Sequence, residues 1–175
     1  MNRTLAINGT ACGLIVLVGF LAPRLELTSA PYLSEGVTVR DHLRVNGWNL
    51  ITGKIQVVQM RSGSQEPVRT IEVHVESKSY PYIDLAGGIL LLLGGLTALT
   101  SKQRLPYAIV IVGGLLAFVG GSLAFLDNRW IRHAIVIGDY TVYGYYSHGL
   151  LLLMAGSLLS IVVSALKWGL SRQSR

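Results

Sequence analysis

Four long stretches of this chain contain no Asp, Glu, Lys or Arg: residues 4–23, 85–101, 105–126 and 149–166. Only 14% of the 175 residues are charged and 51% are hydrophobic, whereas soluble domains carry roughly 25% charged residues. That shortage excludes an ordinary soluble enzyme and a disordered chain. Cysteine is nearly missing as well. Cys12 stands alone, which leaves no internal disulfide, no Cys-based zinc site and no dithiol redox couple. Ionisable groups inside a membrane mark ion paths and proton relays because they are costly to keep there. Their absence from all four stretches argues against a pump or proton-coupled transporter.

What remains is long apolar runs. A helix needs about 20 apolar residues to cross a hydrocarbon core about 30 Å thick, and lipid leaves no partner for an unpaired backbone group. Barrel strands would alternate apolar and polar residues, and Leu90-Leu91-Leu92-Leu93 or Leu150-Leu151-Leu152-Leu153 do not. The pattern predicts transmembrane helices over 4–23, 84–101, 105–126 and 149–167, with 24–83 and 127–148 as outer segments of a single membrane domain. Arg3 before an apolar run also fits a secretory signal peptide cut after Thr28-Ser29-Ala30. Pro31 follows directly and charged Arg24 and Glu26 intervene, so the run is read as a retained span. The expected fold is membrane α-helical: a four-helix transmembrane bundle with a small extracytoplasmic antiparallel β-sheet.

Orientation follows from charge. With four crossings, both termini and the 101–104 loop share a face holding Arg3, Lys102, Arg104, Lys167, Arg172 and Arg175 and no acidic residue. The opposite face holds the other nine basic residues and all nine acidic ones, so the net charge of +6 lies on one side. The positive-inside rule makes that side cytoplasmic and the protein a multi-pass component of the cytoplasmic membrane. The basic balance is thereby a topology signal, not a nucleic-acid one. Aromatic residues fall at the expected interfaces: Tyr80 and Tyr82 before the second helix, Tyr145 and Tyr146 before the fourth, and Trp168 at the cytoplasmic boundary. Asp84 and Asp127 are expected to anchor the outer ends of helices two and three, with Arg129 or Arg132 as partners for Asp127.

Glycine is patterned. The second helix carries Gly87-Gly88 and Gly94-Gly95, and the third Gly113-Gly114 and Gly120-Gly121. A spacing of seven residues returns to the same helix face. Across the short loop the doublets are mirror images, 87 with 121, 88 with 120, 94 with 114 and 95 with 113. Small residues at matching depths let backbones approach closely, which drives helix association in lipid. Helices two and three are therefore expected to touch along all eight glycines.

The outer segment reads as strands. From Val37 to Val45 apolar and polar residues alternate, with Asp41 as the one polar residue in the apolar series, which is the pattern of a half-buried strand. Asn46-Gly47 is a strong hairpin signal, so a second strand is expected from Trp48 to about Met60 with a bulge at Gly53. After the turn 61–67, Ile71, Val73 and Val75 alternate with polar residues in a third strand. Ala134–Ile137 and Tyr140–Tyr143, around Gly138-Asp139, look like a further strand or hairpin able to join the same sheet. This order of helix, strand-rich segment, helical hairpin, outer strand and helix resembles the claudin-like four-helix membrane proteins. Gly47-Trp48-Asn49-Leu50 echoes their outer motif, while their paired outer cysteines have no counterpart here. The resemblance implies the fold, and as an alternative function a self-associating adhesive or channel-forming protein.

No reactive constellation emerges. A haem would need two histidines facing each other within the bilayer, and of His42, His74, His133 and His148 only His148 lies near a helix, at its mouth. His133 and His148 with Asp127 or Asp139 lack metal-ligand spacing. There is no phosphate loop or nucleophile motif, and the sequon Asn8-Gly9-Thr10 falls inside the first span. Neither catalytic residue nor cofactor nor metal is expected. The sequence points to a non-enzymatic accessory or assembly subunit of a larger membrane complex, or a homo-oligomer, with lipid and other membrane subunits as its partners.

Overall fold

The computed structural model describes residues 3–64, 66–74, 76–100, 105–128, 135–137 and 140–173. The elements run α1 (Arg3–Leu21), β1 (Leu25–Ser29), β2 (Tyr32–Ser34), β3 (Val37–Val45), α2 (Gly47–Thr52), β4 (Lys54–Arg61), β5 (Pro67–His74), α3 (Tyr80–Thr100), α4 (Leu105–Asn128), β6 (Ile135–Ile137), β7 (Tyr140–Tyr146) and α5 (His148–Gln173). α1, α3, α4 and α5 are each long and apolar enough to cross a membrane.

These four helices close a ring in which α1 packs on α3 and α5, and α4 packs on α3 and α5. Small residues set every seam. A methyl group on Gly9 would lie 2.8 Å from the Gly95 Cα, one on Gly19 2.7 Å from the Leu153 nitrogen, and one on Gly87 2.5 Å from the Ala117 nitrogen. Backbone therefore meets backbone, giving the close dispersion contact that an apolar solvent cannot replace. Leu5, Val16, Leu91, Val110 and Leu153 fill the centre.

The glycine mirror needs two corrections. Only Gly87, Gly94, Gly113 and Gly120 face the α3–α4 seam. Their doublet partners turn outward: Gly88 and Gly95 meet α1 at Leu17 and Thr10, while Gly114 and Gly121 meet α5 at Ser160 and Leu153. Adjacent residues stand about 100° apart on a helix of 3.6 residues per turn, so one doublet serves two neighbours. The register also differs, since Gly87 meets Ala117 rather than Gly121, and Gly94 meets Val110 rather than Gly114. That is a shift of about one turn.

The strands form one antiparallel sheet in the order β5-β4-β3-β1-β7-β6, with β2 beside β1 on the start of β3. β7 does join it, from Leu25↔Tyr146 to Ser29↔Val142, and β6 pairs with β7 from Ile135↔Val142 to Ile137↔Tyr140. The central strand β1 and the short β2 were not expected from the sequence. β2 and β3 turn through Glu35 and Gly36, both at positive φ (49° and 80°).

Asn46-Gly47 does not form the expected tight hairpin, and no strand begins at Trp48. Asn46 is instead the N-cap of α2, accepting from the Asn49 nitrogen at 2.9 Å while Asn49 Oδ1 accepts from the Asn46 nitrogen at 3.1 Å. Gly53 is not a bulge but the left-handed C-cap, φ 68°. β3 and β4 still pair, Leu43↔Val57 to Val39↔Arg61, across this helical connection. The helix wins because it seats Gly47 on the Phe20 ring and sends Leu50 between two apolar clusters. One is the sheet core of Leu25, Val45 and Ile55; the other is the helix-end cluster of Tyr80, Ala124 and Leu150. Val75, the 101–104 loop, Ala134 and Gly138-Asp139 lie outside the described residues.

Candidate functional site

The joint between sheet and bundle is built on Arg24. The residue follows α1 through Ala22-Pro23 and enters β1, so its main chain lies where three elements converge. Its nitrogen donates to the Val45 carbonyl at the end of β3 (2.8 Å), and its carbonyl accepts from the Ser147 nitrogen ahead of α5 (2.9 Å). The Pro23 carbonyl accepts from the Gly149 nitrogen at 2.9 Å.

The Arg24 side chain turns inward, over the Phe20 ring at 5.1 Å from its centroid, and donates from Nη1 to Asp84 Oδ2 at 2.5 Å. Both side chains are sealed, at 2% and 0% exposure. A charge so enclosed persists only with a partner. The carboxylate has room because α4 offers Gly120 opposite it; any side chain there would collide with Asp84 Oδ1. Among the described residues Arg24 Nε, Arg24 Nη2 and Asp84 Oδ1 have no hydrogen-bond partner. Asp84, expected at the water interface, is instead enclosed in the bundle beneath the sheet.

The other sequence-selected residues divide between the two ends of the bundle. Tyr80 is buried and donates to Asp127 Oδ2 at 3.2 Å, with Lys78 Nζ 3.9 Å from the same oxygen. Tyr82 is exposed. Tyr146 stacks on Phe125 (centroids 5.0 Å apart) and donates to its carbonyl at 2.8 Å. Tyr145 pairs with Glu26 in the β1–β7 ladder. At the far end Trp168 meets Tyr107 edge-on at 6.4 Å. Arg129, Arg132, His133 and Asp139 lie outside the described residues. Among the described residues Lys78 is the cation beside Asp127, a pairing not expected from the sequence.

The sheet has two unlike faces. Leu25, Val45 and Ile55, with Leu27, Leu43 and Leu50 packed against them, form the apolar cluster of one face. The other face carries a cleft of about 530 Å3, walled on one side by α2. Glu26, His42, Arg44, Trp48, Lys54 and Glu72 are among its lining residues. Arg44 Nε lies 3.8 Å from Glu26 Oε1 and Lys54 Nζ 3.4 Å from Glu72 Oε1. Glu26 also accepts from Ser147 Oγ at 3.1 Å, which couples the cleft floor to the start of α5. His42 Nδ1 is 3.3 Å from Thr28 Oγ1, and His148 Nδ1 is 3.1 Å from Ser147 Oγ. Among the described residues no three His, Cys, Asp or Glu converge as metal ligands.

In the sequence Arg24 stands out only as a charge that disfavours signal-peptide cleavage. A signal was there: Arg24 directly follows the first span and Asp84 opens the second, so opposite charges bracket one end of the bundle. In the sequence the cleft is legible only as alternating polar positions, because Asn46-Gly47 signals a hairpin where α2, its wall, forms. No protein-family model matches this chain, and no curated protein matches it either.

Proposed function

We propose that the chain is a non-enzymatic, multi-pass protein of the cytoplasmic membrane, with both termini cytoplasmic, that serves as an accessory or assembly subunit of a larger membrane complex. The observation that carries this reading is the free edge of β5. Eight residues long, β5 pairs with β4 on one side and with nothing among the described residues on the other. It is exposed almost throughout, Val68 and Val73 included. An open edge of this kind offers a row of backbone donors and acceptors to a partner strand. A sheet held to the bundle by Arg24 and Leu50 presents that edge at a fixed height and angle. The outward leucines of α1 and α5, such as Leu14, Leu21, Leu151 and Leu159, supply surface for lipid and for neighbouring subunits.

The experiment is purification of the full chain in mild detergent, with Val68→Lys and Val73→Lys as probes of the edge. Wild type is expected to co-elute with a stoichiometric larger complex, and the double variant to leave it while keeping its own fold. Recovery of the chain alone from several gentle extractions overturns the reading. The helix and strand order favours one alternative, a claudin-like self-associating adhesive or channel-forming protein, which predicts a homogeneous homo-oligomer instead. A reporter fused after Arg175 tests the orientation and is expected on the cytoplasmic side.

A further inference from the structure

We propose that the cleft on the polar face of the sheet binds the headgroup of an outer-leaflet phospholipid, one with a phosphate and a primary amine. Its position is the first ground. Glu26 comes five residues after the end of α1, Arg44 lies opposite it in register, and Lys54 opens β4 directly after α2. α2 itself rests on the last turn of α1 through Gly47 and Phe20. The charged floor of the cleft therefore sits just beyond the end of an apolar span, at the depth where headgroups lie. Trp48 lines the same end and is 55% exposed, which suits an indole at a membrane interface.

Charge is the second ground. The cleft sets two cations, Arg44 and Lys54, beside two carboxylates, Glu26 and Glu72. Each pair is long, 3.8 and 3.4 Å, and its cation is exposed, Arg44 75% and Lys54 59%. Ion pairs of that kind contribute little on their own, so they give way readily to a ligand that satisfies both signs. A lone anion would repel the carboxylates and a lone cation the basic pair; a zwitterion matches both. Phosphate oxygens accept from Arg44 and Lys54, and the ammonium donates to Glu72. The volume is in the range of small-ligand sites, roughly 300–1,000 Å3.

Native mass spectrometry of the full chain in detergent, titrated with phosphatidylethanolamine or phosphatidylglycerol, tests this. One phosphatidylethanolamine per chain is expected to survive detergent removal, with phosphatidylglycerol held more weakly. Arg44→Gln with Lys54→Gln should weaken retention of phosphatidylethanolamine about tenfold or more, as loss of charge-assisted hydrogen bonds does. Glu72→Gln should weaken phosphatidylethanolamine but not phosphatidylglycerol, which has no amine. Arg40→Gln, an exposed change on the same strand, serves as the control and should leave both unchanged. Equal retention by wild type and the Arg44/Lys54 variant overturns the proposal. So does displacement of the lipid by inorganic phosphate at equal concentration, which would make the cleft a plain phosphate site; displacement by glycerophosphoethanolamine but not by phosphate supports it. The inference rests on the sheet lying outside, and a misplaced Arg175 reporter would expose that failure separately.

Discussion

At the scale of single residues, the Arg24–Asp84 pair is where the molecule has most to lose. Removing one member of a buried pair strands the other charge, at a cost of about 3–5 kcal/mol, whereas replacing both with apolar groups of similar volume is often close to neutral. Asp84→Asn and Arg24→Gln should each lower thermal stability in detergent sharply, and Arg24→Met with Asp84→Leu should recover most of the loss. Simple additivity in that double-mutant cycle would show that the pair is not coupled. Gly120 belongs to the same unit, because a methyl group there meets Asp84 directly. Gly120→Ala should cost about 1–3 kcal/mol through overpacking. Gly169→Ala is the matched control: an added methyl group there meets no neighbouring element within 4 Å, so helix propensity should make the change neutral or stabilising by about 0.5–1 kcal/mol.

At the scale of elements, each long helix depends on a seam whose glycines are not interchangeable with larger residues. Gly94→Leu should disrupt α3 against α4 at Val110, and Gly114→Leu should disrupt α4 against α5 at Ser160. Leu93→Ile, on the exposed side of α3, should leave the melting temperature of the detergent-solubilised chain nearly unchanged. Losses of several kcal/mol are expected for the two glycine variants, since large groups forced into closed contacts shift backbone; tolerance equal to that of Leu93→Ile would remove the seam as a determinant. These elements differ in how far they could be read from residues alone. The four long helices were legible because an apolar run of that length has one economical conformation in lipid. The glycine mirror was legible as a pattern but not as a register, because the close fit of Asp84 over Gly120 decides how far α3 slides along α4. Asn46-Gly47 misled because asparagine caps helices as readily as it turns hairpins. The choice fell to Leu50 and Phe20, whose partners are distant in sequence. β1 is not legible in the sequence because it is only five residues long and one of its two ladders runs to β7, more than a hundred residues on.

At the scale of the whole molecule, the sheet and the bundle share connections that neither could lose alone. Arg24 bonds to β3, to the start of α5 and to α3 at once. Leu50 lies in contact with both the sheet core and the helix-end cluster, and Ser147 ties α5 back to Glu26 on β1. An exposed sheet on a hydrophobic bundle would otherwise be expected to melt first, as the part with less buried apolar surface. With these ties the two should unfold in one cooperative step. Two tryptophans report the ends separately, Trp48 on α2 beside the sheet and Trp168 near the far end of α5. Variants retaining only Trp48 or only Trp168, with phenylalanine at the other positions, should give fluorescence transitions at the same temperature. Adding Leu50→Ala removes the shared contact, a truncation worth about 2–5 kcal/mol in a packed site, and should move the Trp48 transition below that of Trp168. If the two transitions were already separate in the otherwise unaltered chain, the sheet would be an independently folding cap, and the rigid presentation of β5 would no longer follow from the joint at Arg24.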